Sequence, residues 1–178
     1  VSLLNIDDGI FKVLATTGDT HLGGEDFDDE IYNYCIEYFK NVNNNIKINS
    51  KYYTKSLQKL RIASENCKIN LSYIKNYNIH IPNFYNDKNN NIYLDLHIDI
   101  SQELFEKLSI KLFERAIKPI ENIMDITDLE IDDIDDIILV GGSTRMPRIK
   151  FNIHNFFNKK PYSSIDPDTI VATGAAIQ

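Results

Sequence analysis

The placement of glycine constrains the fold of this chain more than any other feature of its sequence. Only seven glycines occur in 178 residues, and five of them lie at two junctions where a strand-like segment gives way to a helix-like one. Gly18, Gly23 and Gly24 form the first junction, and Gly141 and Gly142 form the second. Glycine at such a junction lets backbone N–H groups approach an anion, and the helix start adds the positive end of its dipole. The pattern favours phosphate binding, although a purely structural turn would use the same residues.

The residues around the first junction predict a β-hairpin followed by a helix. Val1–Asn5 and Ile10–Thr16 are short, β-branched apolar runs, and Asp7-Asp8-Gly9 between them favours a tight turn. Apolar residues then recur at helical spacing over Phe27–Phe39.

The middle of the chain predicts one long helix and two strands. The helix spans Thr54–Leu71 and has an apolar face that repeats every three or four residues. The strands cover Ile79–Phe84 and Ile92–Ile100, and the second alternates apolar and polar residues. Two asparagine-rich tracts, residues 41–49 and 86–91, are expected to be solvated connections.

A further helix and a buried strand are predicted before the second junction. The helix runs over Leu104–Ile120, with Asp99 or Ser101 as its cap, and Pro119 should kink or interrupt it. Ile137–Val140 is a run of four apolar residues, which is typical of a strand covered on both faces.

The second junction leads into a last well-defined helix. Pro147 favours the helix start, Ser143 or Thr144 could cap it, and the pattern continues through Phe157. No internal repeat is visible. The strand–helix alternation at both ends therefore predicts an α/β layer that has a separate α+β segment inserted in its middle.

The composition excludes several functions. The net charge of −7 and the pI near 5.0, without a basic stripe, argue against nucleic-acid binding. No apolar run approaches the roughly 20 residues that span a bilayer, so a soluble protein without a membrane role is expected. Cys35 and Cys67 lack the spacing of a zinc site or a disulfide framework, and the four histidines lack partners at metal or triad spacing.

The long middle helix carries the best candidates for a ligand-binding face. Glu65, Lys68 and Ser72 are spaced so that they can reach one ligand together, although a solvated face with a Glu–Lys pair is the plainer explanation. Arg145, after the second glycine pair, could stack its guanidinium plane on a nucleobase or lie in water. Neither junction has the spacing of a P-loop or of a dinucleotide fingerprint.

Three motifs, in the same order along the chain, resemble those of the heat shock protein 70 family. The first is Gly-Asp-Thr-His-Leu-Gly-Gly-Glu-Asp-Phe-Asp at residues 18–28, and the second is Ile-Leu-Val-Gly-Gly-Ser-Thr-Arg-Met-Pro at residues 138–147. The third combines Asp-Pro-Asp at residues 166–168 with Thr-Gly-Ala-Ala at residues 173–176. The similarity extends from Val1 to Gln178.

The resemblance implies an actin-like ATPase fold, which is ribonuclease H-like, in which two lobes close on ATP. This chain would be the second lobe. Residues 1–22 and 104–178 would form its sheet subdomain, and residues 23–103 would form an inserted α+β subdomain.

The resemblance also implies a set of nucleotide-binding residues. By the family pattern, residues of the long middle helix would hold the adenosine, and residues of the second glycine junction and the third motif would hold the phosphate and the base. ATP or ADP is the expected cofactor, with Mg²⁺ in the complete domain, and no catalytic residue or metal ligand is expected in this chain. The implied set is Gly24, Glu65, Lys68, Ser72, Gly141, Gly142, Ser143, Arg145 and Asp168.

Two residues depart from the family pattern. Ile69 stands where the family commonly has an arginine that packs on the adenine, and isoleucine supplies neither a cation nor donors. Weaker nucleotide binding is therefore expected. Lys12 stands where many relatives carry an acidic residue on the face used by J-domain cochaperones, and a lysine would oppose a basic J-domain helix.

The resemblance implies an ATP-dependent chaperone as the parent protein, with client peptides, J-domain cochaperones and nucleotide exchange factors as partners. The family's first phosphate loop, catalytic lysine and first-lobe glutamate do not occur in these 178 residues, so the chain alone is not expected to hydrolyse ATP. The alternative is a noncatalytic relative that docks nucleotide exchange factors. A sugar kinase with the same fold is a third hypothesis, and the sequence of residues 18–28 argues against it. The cytoplasm and an organelle such as a mitochondrion or plastid both remain open.

Overall fold

The chain divides into two structural units in a computed structural model that describes residues 1–44, 46–48, 53–87, 90–162 and 166–177. One unit consists of Val1–Gly23 with Lys111–Gln178, and the other consists of Gly24–Ile110. The second unit is continuous in sequence and interrupts the first.

The first unit begins with an antiparallel hairpin. Strand β1 (Ser2–Asp7) pairs with β2 (Ile10–Thr16). Asp8 and Gly9 between them have φ angles of 47° and 78°, the left-handed conformations that a two-residue turn of type I′ requires. The predicted hairpin is therefore confirmed. Most of its large apolar side chains are exposed, and among the described residues no other strand pairs with it.

Two helices provide half of the buried hydrophobic residues in the core of the second unit. Helix α1 (Gly24–Val42) and helix α2 (Thr54–Leu71) each bury a stripe that recurs every three or four residues, as an amphipathic helix does. The bounds of α2 agree with the prediction from sequence. The buried residues are Phe27, Ile31, Cys35 and Phe39 on α1, and Leu60, Ser64, Cys67 and Leu71 on α2.

A two-stranded antiparallel sheet completes that core. Strand β3 (Asn76–Asp87) pairs with β4 (Ile92–Ser101), and β4 buries alternate residues, as its sequence predicts. In β3 the alternation is broken by a register shift between Ile81 and Tyr85. Phe84 of β3 packs edge-on against Phe39 of α1, with ring centroids 4.9 Å apart.

Strand β4 leads directly into two consecutive helices. The Ser101 hydroxyl accepts a hydrogen bond from the Leu104 amide at 3.0 Å, so Ser101, and not Asp99, caps helix α3 (Gln102–Leu108). Helix α4 (Ile110–Thr127) follows after a break at Ser109. The expected interruption at Pro119 is wrong, because α4 runs through this buried proline. Packing of the apolar face outweighs the lost backbone hydrogen bond there.

The last part of the first unit contains two helices and an incomplete strand. Helix α5 (Pro147–Phe157) starts at Pro147 and ends as predicted, and α6 (Ile170–Ile177) follows. The strand expected at Ile137–Val140, covered on both faces, is wrong: Ile138 forms a single parallel bridge with Tyr162 and is 58% exposed. A buried parallel strand needs neighbours on both edges and layers on both faces, and the described residues supply one bridge.

The predicted cap of α5 is also wrong. Met146 occupies the cap position without a side-chain hydrogen bond, because residues Gly142–Arg145 form a 3₁₀ turn before the helix. Within this turn the Thr144 hydroxyl donates to the Gly141 carbonyl at 2.7 Å. Four positions of the two asparagine-rich tracts, 45, 49, 88 and 89, lie outside the described residues.

None of the helices in the described part of the chain is both long and apolar enough to cross a membrane.

Candidate functional site

Lys68, a member of the predicted adenosine-binding face, is held in place by two hydrogen bonds. Its Nζ donates to the Gly24 carbonyl and to Asp28 Oδ2, each at 2.9 Å. The Lys68 and Asp28 side chains are only 13% and 16% exposed. Since Gly24 and Asp28 occupy the first turns of α1, Lys68 ties the C-terminal half of α2 to the start of α1.

Glu65 and Ser72 lie on the same edge of α2 as Lys68. Glu65 is one turn earlier and exposed, and Ser72 follows the last helical residue and donates through its hydroxyl to the Lys68 carbonyl at 3.3 Å. Their spacing of three and seven residues places them on one side of the helix. Ile69 is 48% exposed on the adjoining surface, so an apolar side chain borders these polar groups.

The Asp28 carboxylate lies in an unfavourable electrostatic setting. Burial raises its pKa above the ordinary value of 3.8, and the negative charges of Glu65 and Asp29 raise it further, while the hydrogen bond and charge of Lys68 oppose the shift. Its Oδ1 is buried and has no hydrogen-bond partner among the described residues. One carboxylate oxygen is therefore used for Lys68, and the other is unpaired.

The second glycine junction forms a tight loop in the first unit. Gly141 has a φ of 88°, which favours glycine, and its amide donates to the Pro167 carbonyl at 2.9 Å. A Cβ at Gly142 would lie 3.3 Å from Asp168 Oδ1, so the absence of a side chain lets the carboxylate lie against the loop. Gly142 and Ser143 are exposed at the start of the 3₁₀ turn, where backbone amides lack partners within the turn.

Arg145 is held by the two carboxylates of the third motif. Asp168 Oδ2 accepts hydrogen bonds from Arg145 Nη2 at 2.8 Å and from Nε at 3.2 Å, and Asp166 accepts one from Nη2. A guanidinium held through its N–H edge can still stack through its planar face. The structure thus brings together Arg145, Asp168 and the glycine loop.

Sequence reasoning missed two carboxylates that hold predicted site residues, Asp28 and Asp166. Both lie inside recognised motifs and carried a local signal, since each is close in sequence to a predicted site residue. Asp19, which also lies in the first motif, makes a contact outside the predicted site: its Oδ2 is 2.7 Å from Nη2 of Arg115, which is 96 residues away. The hydrogen bond from the His21 amide and the bond from Arg115 lower the pKa of Asp19.

The predicted site residues thus fall into two sets, one in each unit. The set in the second unit comprises Gly24, Glu65, Lys68 and Ser72, and the set in the first comprises Gly141, Gly142, Ser143, Arg145 and Asp168.

Metal and thiol chemistry receive no support from the described residues. They bring together no group of three His, Cys, Asp or Glu side chains that could hold a metal ion. Cys35 and Cys67 are free and buried, and burial raises the pKa of both thiols to about 12.

A mixed α/β frame with a glycine-rich loop and two sets of polar residues is compatible with a nucleotide-binding protein. Comparison with known families identifies the family. The family model of the Hsp70 protein matches residues 1–178, and the chain belongs to the Hsp70 family, which has the actin-like ATPase fold.

Curated relatives agree with this assignment over the whole chain. It is 42% identical to the mitochondrial iron-sulfur cluster biogenesis chaperone of Saccharomyces cerevisiae and 41% identical to heat shock cognate 70 kDa protein 3 of Dictyostelium discoideum. It is 40% identical to the chaperone protein dnaK of Phaeodactylum tricornutum. All of this chain is covered in each case, but only 26%, 27% and 28% of the respective relatives.

Proposed function

We propose that the chain is the second lobe of the nucleotide-binding domain of an ATP-dependent chaperone. The carrying observation is that two residues of the family's nucleotide-binding pattern, Lys68 and Arg145, are each held by hydrogen bonds to a carboxylate within their own unit. Residues 1–22 and 104–178 would be its sheet subdomain and residues 23–103 its inserted subdomain. The units divide at Gly23/Gly24 and Ile110/Lys111, close to these limits.

Each set has a distinct role in this proposal. Glu65, Lys68 and Ser72 hold the adenosine, because they offer a carboxylate, an ammonium and a hydroxyl along one helix edge. Arg145 stacks on the base while Asp168 fixes its orientation, and the glycine loop with Ser143 accepts the phosphates through backbone amides. Gly24 lies at the start of α1, where the helix dipole favours an approaching phosphate.

The complete protein would couple ATP binding and hydrolysis to the binding of client peptides. Mg²⁺ with the nucleotide would neutralise charge on the phosphates. J-domain cochaperones and nucleotide exchange factors would be partners. Two of the relatives are named as chaperones, which supports this class of function.

Hydrolysis measurements test the proposal. The full-length protein, of which we propose this chain is one part, should turn over ATP, and turnover should respond to peptide, while the 178-residue chain should not hydrolyse ATP. Lys68→Met should raise the KM for ATP, whereas Arg61→Ala, at an exposed pair with Asp29, should leave it unchanged. A full-length protein that neither binds nor hydrolyses ATP would refute the assignment.

A second candidate is a noncatalytic docking module for exchange factors. It is favoured by the exposed Ile69 in place of the family's arginine and by Lys12 on β2. In this case an exchange factor should bind the full-length protein with the same affinity in the presence and absence of ADP. An affinity that changes with ADP would favour the ATP-dependent chaperone.

We further propose an organellar location. The name of one relative places that protein in the mitochondrion. Fractionation of the source cells, with antibody against the chain, should recover it with organelles. Recovery with the cytosol would contradict this location.

A further inference from the structure

The Lys68–Asp28 pair differs in its burial from the other ion pairs of the described residues. Its side chains are 13% and 16% exposed, whereas those of the Arg61–Asp29 pair, which also joins α2 to α1, are 64% and 50% exposed. Exposed pairs contribute little to stability. The buried pair carries a desolvation cost that the exposed one does not.

The hydrogen-bond capacity of Lys68 is only partly used. An ammonium has three N–H donors, and here one goes to the Gly24 carbonyl and one to Asp28. Within the described part of the chain no further acceptor is bonded to Lys68. Two fixed hydrogen bonds set the direction of the third N–H, which therefore needs no reorganisation to meet a ligand.

Asp28 is poorly suited to a purely stabilising role. Its Oδ1 is buried and has no hydrogen-bond partner in the described part of the chain, and its charged form is disfavoured by burial and by Glu65 and Asp29. A well-packed apolar residue at such a place commonly stabilises a fold as well as or better than an ion pair. The arrangement is explained if the role of Asp28 is to fix the position of the Lys68 ammonium.

We propose that Asp28 is a positioning residue for the nucleotide: together with the Gly24 carbonyl it fixes the Lys68 ammonium, so that the remaining N–H is directed to the adenosine group that Glu65, Lys68 and Ser72 bind. This inference rests on the proposed nucleotide function and adds a residue that does not touch the nucleotide itself.

Calorimetric titration of the full-length protein with ADP, and with adenosine alone, tests the inference. Asp28→Asn removes the charge that holds Lys68 and should weaken binding of both ligands about tenfold, the scale of one hydrogen bond to a charged group. Asp29→Asn, one residue along and at the exposed pair, is the matched control and should leave both affinities unchanged.

A double-mutant cycle separates positioning from a general structural role. If Asp28 acts through Lys68, Asp28→Asn should cause no further loss in a Lys68→Met background. Equal losses in the presence and absence of Lys68 would overturn the inference. Nucleotide binding by the wild type with no difference between the Asp28 and Asp29 variants would also overturn it while leaving the proposed function intact. Absence of binding by the wild type would overturn both.

The pH dependence gives a readout that does not need a folded variant. Protonation of Asp28 removes its charge, so wild-type affinity should fall as the pH falls through the Asp28 pKa, which burial places above 3.8. The groups that face Asp28 are Lys68, Glu65 and Cys67 on α2 and Asp29 on α1. The drop should be smaller in Asp28→Asn than in the wild type wherever that variant folds. A wild-type affinity that does not fall as the pH is lowered to the onset of acid unfolding would overturn the inference.

Discussion

The two units of this chain bury their apolar residues to very different extents. In the second unit, large residues of two helices and two strands, such as Ile31, Phe39 and Ile100, are at most 1% exposed. In the first unit, the hairpin leaves Ile6 at 60% and Phe11 at 68% exposure, and Ile138 is 58% exposed.

The difference depends on whether a unit contains the residues that cover its own apolar faces. The second unit contains both sides of its own core, so periodicity in the sequence and packing in the structure agree. The first unit has strands whose apolar faces are not covered by the described residues. We expect the second unit to be the more stable of the two.

Truncation of the second unit's core should have the largest effect. Phe39→Ala removes a ring that is 1% exposed and packs on Phe84, and it should lower the free energy of unfolding by about 3–5 kcal/mol. Phe11→Ala, on the exposed hairpin, should change it by less than about 0.5 kcal/mol. Urea denaturation followed by circular dichroism measures the free energy of unfolding of both variants. Equal losses in the two variants would contradict the difference in packing between the two units.

Removal of the guanidinium in the first unit should weaken nucleotide binding without unfolding the second unit. Arg145→Ala leaves Asp166 and Asp168 without their cation and should lower ADP affinity about tenfold or more. Calorimetry on the full-length protein measures this, with Arg61→Ala as the control. An unchanged affinity would exclude Arg145 from the site.

Loss of the α3 cap should have a moderate effect confined to the second unit. Ser101→Ala removes the acceptor for the Leu104 amide and should cost about 1 kcal/mol of stability. Ser101→Asp keeps an acceptor for the Leu104 amide and should retain most of the stability that Ser101→Ala loses. If both variants lose the same stability in urea denaturation, the hydroxyl is not the cause.

Restoring the family's arginine at position 69 should have the smallest effect. Ile69 is 48% exposed, so Ile69→Arg can be accommodated and can place a cation over the base. A cation–π contact at an exposed site is worth about 0.5–1 kcal/mol, and ADP affinity should rise by roughly that amount. Ile62→Arg, on the exposed surface of the same helix, is the control. A fall in affinity would show that Ile69 itself contacts the ligand favourably.

The parts of the fold that follow from local chemistry could be predicted from the sequence. The Asp8-Gly9 turn predicts the hairpin because of its φ requirements, and the stripe on α2 predicts the helix because its partners lie in the same unit. The Ile137–Val140 prediction failed because burial of a parallel strand depends on neighbouring strands and layers, which a local apolar run does not reveal.

The candidate site was predictable in its members but not in their contacts. Lys68 and Arg145 stand out by spacing and by family pattern, whereas their carboxylate partners Asp28 and Asp166 became evident from the packing of α2 on α1 and from the turn at residues 166–168. The Asp19–Arg115 pair joins positions 96 residues apart, and sequence spacing gives no indication of it.

The most direct test of the nucleotide assignment is calorimetric titration with ADP of the 178-residue chain and of the full-length protein, each as wild type and as Glu65→Ala. The account predicts weak binding by the chain, tighter binding by the full-length protein, and loss in both when the Glu65 carboxylate is removed. Absence of binding by the full-length protein at millimolar ADP, or binding that is unchanged in Glu65→Ala, would contradict it.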